Sequence, residues 1–280
     1  MEDTPTFSEV IAKTGQKAFT LAFALGSFAG CEPAWGAQEP LDSPKIINNI
    51  RDAQALGAEF IVATGGALGP YLEHLCGTQD ALLGAYKKVL DTVGTNHLDV
   101  DVEAPVNLDI MNGALAALQR ERPDVTVSFT LPVQGDDYGL TNALGVDVLK
   151  SAKAKGVRVD IVNGMTMEYP SSLPFGDSAI AAGNAILGQL KTVWPEKSDQ
   201  QLRGMLGITP MLGRNVNGRV FEPQHARQVV DWAKQNSIGL LAFWSIARDN
   251  GRCPGGAVSP TCSSVSQEEL EFTNIFKAYA

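Results

Sequence analysis

Seven apolar, strand-like runs alternate with eight helical patterns along this 280-residue chain, and that alternation restricts the fold more than any other feature. The helical patterns fall at 5–15, 43–57, 78–94, 107–122, 141–156, 177–194, 222–237 and 266–279. Between them lie Ala18–Leu25, Glu59–Thr64, His97–Glu103, Val125–Val133, Val159–Met167, Leu202–Leu212 and Gly239–Ile246. Ser43-Pro44 and the Ser266-Gln267-Glu268-Glu269 box mark helix starts, and Gly57, Gly94 and Gly156 mark helix ends. Strands that are apolar almost throughout need cover on both faces, and interleaved helices supply it, so a parallel α/β sheet is expected. Eight helices in this length predict a (β/α)8 TIM barrel, one domain over 1–280. A doubly wound sheet is the alternative, but no Gly-rich phosphate loop follows a strand. The count is one strand short: residues 1–7 are charged and broken by Pro5, so the first barrel strand is expected to be missing or supplied upstream of residue 1.

One strand carries chemistry. In His97-Leu98-Asp99-Val100-Asp101-Val102-Glu103 the apolar residues Leu98, Val100 and Val102 point one way, and His97, Asp99, Asp101 and Glu103 the other. Residues i and i+2 on one strand face lie about 6.5–7 Å apart, so three carboxylates in a row repel one another. Burial would raise the pKa of at least one of them. The plain alternative is an exposed edge strand with a solvated acidic face. In a β/α barrel the working residues sit at the C-terminal ends of strands, which is where Glu103 falls. Other strand ends supply Ser27, Thr64-Gly65-Gly66, Gln134 to Tyr138, Glu168-Tyr169 and Trp244.

A formal net charge of −9 argues against nucleic acid and anionic membrane surfaces as partners. No apolar run is long enough to span a bilayer. Met1-Glu2-Asp3 lacks the positive start of a signal peptide, so the chain reads either as cytosolic or as a trimmed mature form. The cysteines at 31, 76, 253 and 262 form no CxxC pair. Cys253 and Cys262 bracket a short Pro/Gly/Ser loop that favours a local disulfide, which leaves Cys31 and Cys76 to pair with each other. Four buried thiols are the other reading. Disulfides would indicate a secreted, extracellular protein.

The acidic strand and three further motifs resemble glycoside hydrolase family 18, the chitinase family. Its D-x-x-D-x-D-x-E signature is matched by Asn96 to Glu103, with Asn96 in place of the first Asp. An S-x-G-G-like turn is matched by Ala63-Thr64-Gly65-Gly66, a Met-x-Tyr motif by Met167-Glu168-Tyr169, and the last strand end by Phe243-Trp244-Ser245. The resemblance covers nearly the whole chain and is greatest to the compact chitinase-D-like branch. It implies retaining, substrate-assisted hydrolysis of β-1,4-linked N-acetylglucosamine, endo-acting and with transglycosylation as an option. Glu103 would be acid and base, Asp101 would hold the acetamido N–H, and Asp99 would share a proton with Asp101. Tyr169 would bond the acetamido oxygen and Trp244 would floor the sugar, with Met167, Trp35 and Gln134 as further substrate-binding candidates. Tyr169, Trp244 and Met167 could instead be packing residues, and Trp35 could pin its loop. His97 reads as a buried hydrogen-bonded residue. The resemblance implies no metal, no cofactor and a monomer whose partner is chitin or a chito-oligosaccharide. An endo-β-N-acetylglucosaminidase acting on N-glycan cores and a non-catalytic chitin-binding lectin use the same fold. A metal-dependent hydrolase with His97, Asp99, Asp101 and Glu103 as ligands is the third alternative.

Overall fold

The structure is a computed structural model and describes residues 4–279; the leader reading on Met1–Asp3 lies outside the described residues. Two compact units divide the chain. One comprises Lys17–Leu131 and Asn142–Val162, the other Met1–Gln16, Pro132–Thr141 and Asn163–Ala280. Each is built from separate stretches of sequence.

The unit that begins at Lys17 is a parallel sheet with helices. Ala18–Ser27 pairs in parallel with Glu59–Gly65, which pairs with the acidic strand His97–Asp101, which pairs with the strand beginning at Thr126. The acidic strand therefore has neighbours on both sides and is no edge. Helices Pro44–Ala55, Gln79–Val93 and Leu108–Glu121 connect these strands. Thr78 caps the second, its hydroxyl accepting from the Ala81 N–H, and Asn107 caps the third. Buried Leu82, Val89, Leu115 and Leu118 form the covering apolar faces. A hairpin arm not foreseen from the sequence, Gly30–Trp35, runs antiparallel to Ala18–Ser27 and carries Cys31, which is bonded to Cys76.

The other unit holds the N-terminal helix Phe7–Thr14, closed at its start by a Thr6/Glu9 capping box. It also holds helices Phe175–Val193 and Pro223–Asn236, and the parallel pair Leu206–Thr209 and Leu240–Leu241. Its second disulfide is Cys253–Cys262. Both bridges match the expected pairing. Two local expectations are corrected here. The run Leu202–Leu212 starts as helix Asp199–Met205, because Ser198 and Gln201 form a capping box before the strand begins. The Ser266–Glu269 box opens no helix: Gln267 bonds Asp249 instead, and the helix is Glu271–Phe276. Among the described residues no helix is long and apolar enough to cross a membrane.

Candidate active site

The acidic strand is buried on both faces. Leu98, Val100 and Val102 are fully covered, and Asp99 and Asp101 are only 4% and 6% exposed, while Glu103 is half-buried at the strand's end. Register decides what the acids meet: Asp99 lies opposite Ser128 and Asp101 opposite Thr130. Asp99 accepts from the Ser128 hydroxyl at 2.5 Å and from the Thr130 hydroxyl at 2.8 Å. Below it His97 Nε2 lies 3.0 Å from Ser128 Oγ. Since that hydroxyl gives its proton to Asp99, the ring must donate through Nε2–H. Burial lowers the His97 pKa to about 4, which keeps the ring neutral in its hydrogen-bonded place.

Burial raises all three carboxyls, with different secondary causes. Asp99 is pushed to about 6, its two hydroxyl donors pulling the other way. Asp101 is pushed well above the ordinary range by burial first, then by Glu103 and Asp99. One of its oxygens, Oδ1, has no hydrogen-bond partner. Glu103 is raised by burial alone. The repulsion among the acids thus falls on Asp101, flanked on both sides, and not on Glu103. Asn96 is exposed and donates to Asp124 at 2.6 Å, so the departure at the first signature position touches no buried acid.

The turn after Glu59–Gly65 needs its two glycines. A Cβ on Gly65 would lie 1.9 Å from the Asp101 carbonyl oxygen, and one on Gly66 would meet the Phe23 ring at 2.6 Å. Both residues also have positive φ, 84° and 91°, a region that glycine enters without a steric cost. Gly66 N–H can then donate to the Asp101 carbonyl at 3.0 Å.

In the other unit, Trp244 is 40% exposed, three residues past strand Leu240–Leu241, in an isolated parallel bridge with Met211, and its backbone N–H donates to the Pro210 carbonyl. Gln134 is exposed and Met167 half-buried. Tyr169 departs from expectation: it is 3% exposed and its hydroxyl donates to the Ser178 carbonyl at 3.2 Å. Its strand ends at Met165, so Tyr169 has passed the strand end and turned into the core of its own unit. Trp35 departs too: it is buried, and Nε1–H donates to the Leu41 carbonyl at 3.1 Å, which pins the hairpin arm. Sequence reasoning missed Ser128 and Thr130, although their i, i+2 spacing on the next strand was a usable signal. It also missed Tyr71 and the buried Glu73, which accepts from Thr64 and Tyr86 at 2.7 Å each. Among the described residues no group of three His, Cys, Asp or Glu side chains could hold a metal ion.

A buried acidic run ending in a half-buried carboxyl at the C-terminal end of a parallel strand is the arrangement of a barrel glycosidase. No protein-family model matches the chain. It is 40% identical to active domain 2 of a thermostable chitinase from Pyrococcus furiosus, whose catalytic-site mutants were solved with chito-oligosaccharides. That match covers 100% of this chain and 91% of the other, with a TM-score of 0.93. It is 32% identical over 286 residues to a probable bifunctional chitinase/lysozyme of Escherichia coli, covering 93% of this chain and 31% of that protein. It is 34% identical over 253 residues to Endochitinase 11 of Metarhizium anisopliae, covering 82% and 47%. The chain thus spans less than half the length of these two curated relatives. It belongs to glycoside hydrolase family 18, and its parallel β/α fold matches the TIM-barrel-like fold of that family.

Proposed function

We propose that this chain is a single catalytic domain that cleaves β-1,4-linked N-acetylglucosamine polymers, chitin and chito-oligosaccharides, with retention of configuration. One observation carries the reading: Asp101 is buried with Oδ1 unpartnered, two residues before a half-buried Glu103 whose pKa burial raises. A carboxyl whose charged form is disfavoured by burial is suited to donating a proton to a leaving oxygen. A buried oxygen with no partner of its own is a ready acceptor for a substrate N–H.

In the proposed reaction Glu103 protonates the glycosidic oxygen. Asp101 receives the acetamido N–H and turns the acetamido oxygen towards the anomeric carbon. That oxygen bonds to the carbon as the glycosidic bond breaks, leaving an oxazolinium ion whose charge Asp101 offsets. Glu103, now a carboxylate, takes a proton from water, and the water attacks the anomeric carbon to regenerate the acetamido group with β configuration. Asp99, held by two hydroxyls, supports Asp101 from below. Trp244, Gln134 and Met167 are the candidates for sugar contacts. The acid–base chemistry needs no metal. The two disulfides support an oxidising, extracellular location, and the protein is proposed to act as a monomer.

Glu103→Gln keeps the shape of the side chain and removes the proton. We expect kcat on chitohexaose to fall about 10²–10⁴-fold with an unchanged circular dichroism spectrum. In EDTA the wild type should release β-anomers first, read by proton NMR. A fully active Glu103→Gln, or α-anomers first, would overturn the reading.

A further inference from the structure

The ladder beside the acidic strand changes form at Glu103. Gly65 pairs with Asp101, and Gly66 N–H donates to the Asp101 carbonyl at 3.0 Å. On the other side, Val102 N–H donates to the Thr130 carbonyl at 3.0 Å. A regular parallel ladder would next join Glu103 N–H to the Gly66 carbonyl. A side chain stands in that rung instead. The Tyr71 hydroxyl accepts from Glu103 N–H at 3.2 Å and donates to the Gly66 carbonyl. A hydroxyl can accept and donate at once, so both backbone groups stay satisfied while an extra oxygen spreads the rung.

We propose that Tyr71 is a positioning residue for Glu103: its hydroxyl, inserted between the Gly66 carbonyl and Glu103 N–H, sets the direction in which the acid leaves the strand. The inference rests on the reading of Glu103 as the acid. Tyr71 acts on the Glu103 backbone and needs no contact with the sugar.

The wedge is itself firmly held. The Tyr71 ring is buried with Leu25 and Ala37, with Phe23, Ala104 and Val106 packed on the same cluster. It stacks on His74 with ring centroids 4.8 Å apart and planes 10° from parallel. His74 Nε2 donates to the Pro105 carbonyl at 2.8 Å, gripping the chain two residues past Glu103. At one end of this segment the Pro70 carbonyl accepts from Gly26 N–H at 2.9 Å; at the other, Cys76 is bonded to Cys31. Residues 70–76 therefore carry the wedge and a second clamp on the same strand end, tied down on both sides. The charged and titratable groups around this point are Asp101 and Asp99 on the acidic strand, and Glu73 and His74 beside Tyr71. Burial, then Glu103, Asp101 and Glu73, raise the Tyr71 hydroxyl to about 12, so it keeps the proton it gives to Gly66 at any working pH.

The test is Tyr71→Phe, which keeps the ring and removes the oxygen. A small misplacement of a catalytic group costs up to about 100-fold, so kcat on chitohexaose should fall about 10–100-fold with KM within about twofold. The Glu103 amide should exchange with solvent faster than in the wild type, a readout that needs no turnover. A kcat within twofold of wild type overturns the proposal, as does a raised KM at unchanged kcat. If Tyr71→Phe does not fold, His74→Ala decides: loss of kcat at constant KM supports the clamp and unchanged kcat overturns it. An active Glu103→Gln sinks the functional reading and this inference together. A dead Glu103→Gln beside a fully active Tyr71→Phe sinks this inference alone.

Discussion

Asp101 and Asp249 are both buried carboxyls, one in each unit, and both are raised in pKa chiefly by burial. Their partners differ. Asp249 accepts from Phe272 N–H at 3.0 Å and from Thr273 N–H, Thr273 Oγ1 and Gln267 Nε2 at 2.7 Å each, so both oxygens are filled. Next to it the buried Arg248 guanidinium donates to the carbonyls of Leu212, Arg214 and Ser259. Asp101 has like charges on either side and an oxygen with nothing to accept. The satisfied carboxyl closes the start of helix Glu271–Phe276 and serves structure. The unsatisfied one keeps an oxygen free to accept from a donor outside the chain.

Matched substitutions break this contrast if it is wrong. Asp101→Asn removes a carboxyl whose charged form burial and its acidic neighbours disfavour, and leaves the shape unchanged. Removal of one charge-stabilising group costs about 10²–10³-fold, so kcat should fall by that much while Tm at pH 7 does not fall. Asp249→Asn turns an amide NH₂ towards N–H donors. It should destabilise by about 2–4 kcal/mol in denaturant titrations and leave kcat per folded molecule unchanged. A Tm loss in Asp101→Asn, or none in Asp249→Asn, would remove the distinction.

The disulfides extend the comparison at a similar scale. Cys31–Cys76 closes 45 residues of chain in the unit that holds the acids, and Cys253–Cys262 closes 9 in the other. Loop-closure entropy gives about 4 kcal/mol for the longer loop and about 2.5 kcal/mol for the shorter. Paired Cys→Ser variants measured by urea unfolding should rank in that order. The longer bridge also anchors the segment bearing Tyr71, so its loss should lower kcat, and loss of Cys253–Cys262 should not. Equal effects on kcat would mean that the bridge does not support the strand end.

Legibility followed periodicity. Helices Phe7–Thr14, Gln79–Val93, Leu108–Glu121 and Pro223–Asn236 fall close to their sequence patterns because caps and apolar spacing agree. The acidic strand was legible because period two puts Asp99, Asp101 and Glu103 on one face, and both disulfides followed from loop length and exclusion. The hairpin arm Gly30–Trp35 was not, since Pro33 and its shortness hide a strand. Trp35 and Tyr169 show why aromatics mislead: a ring in a loop reads the same whether it meets a sugar or a backbone carbonyl. Tyr71 had no signal at all. It precedes a four-residue helix after a Gly/Pro turn, and its role exists only through the rung it enters.

The smallest expected effect is a pH dependence that separates the acidic strand from the rest. The folded Asp99 pKa of about 6 lies above the ordinary carboxylate value of 3.8. Below the lower value both folded and unfolded chains hold the proton, and Asp99 adds no slope. Between 3.8 and about 6 only the folded state holds it, so stability falls as pH rises; above about 6 the loss is complete. The shift corresponds to a loss of about 2–3 kcal/mol. Asp99→Asn should flatten that part of the stability–pH curve, measured by urea midpoints from pH 4 to 7. Ser128→Ala, which removes the donor to Oδ1, should raise the Asp99 pKa further and carry the falling limb to higher pH. A curve that Asp99→Asn leaves unaltered would mean that Asp99 is ionised in the folded protein across that range, and that burial among Ser128 and Thr130 does not hold its pKa up.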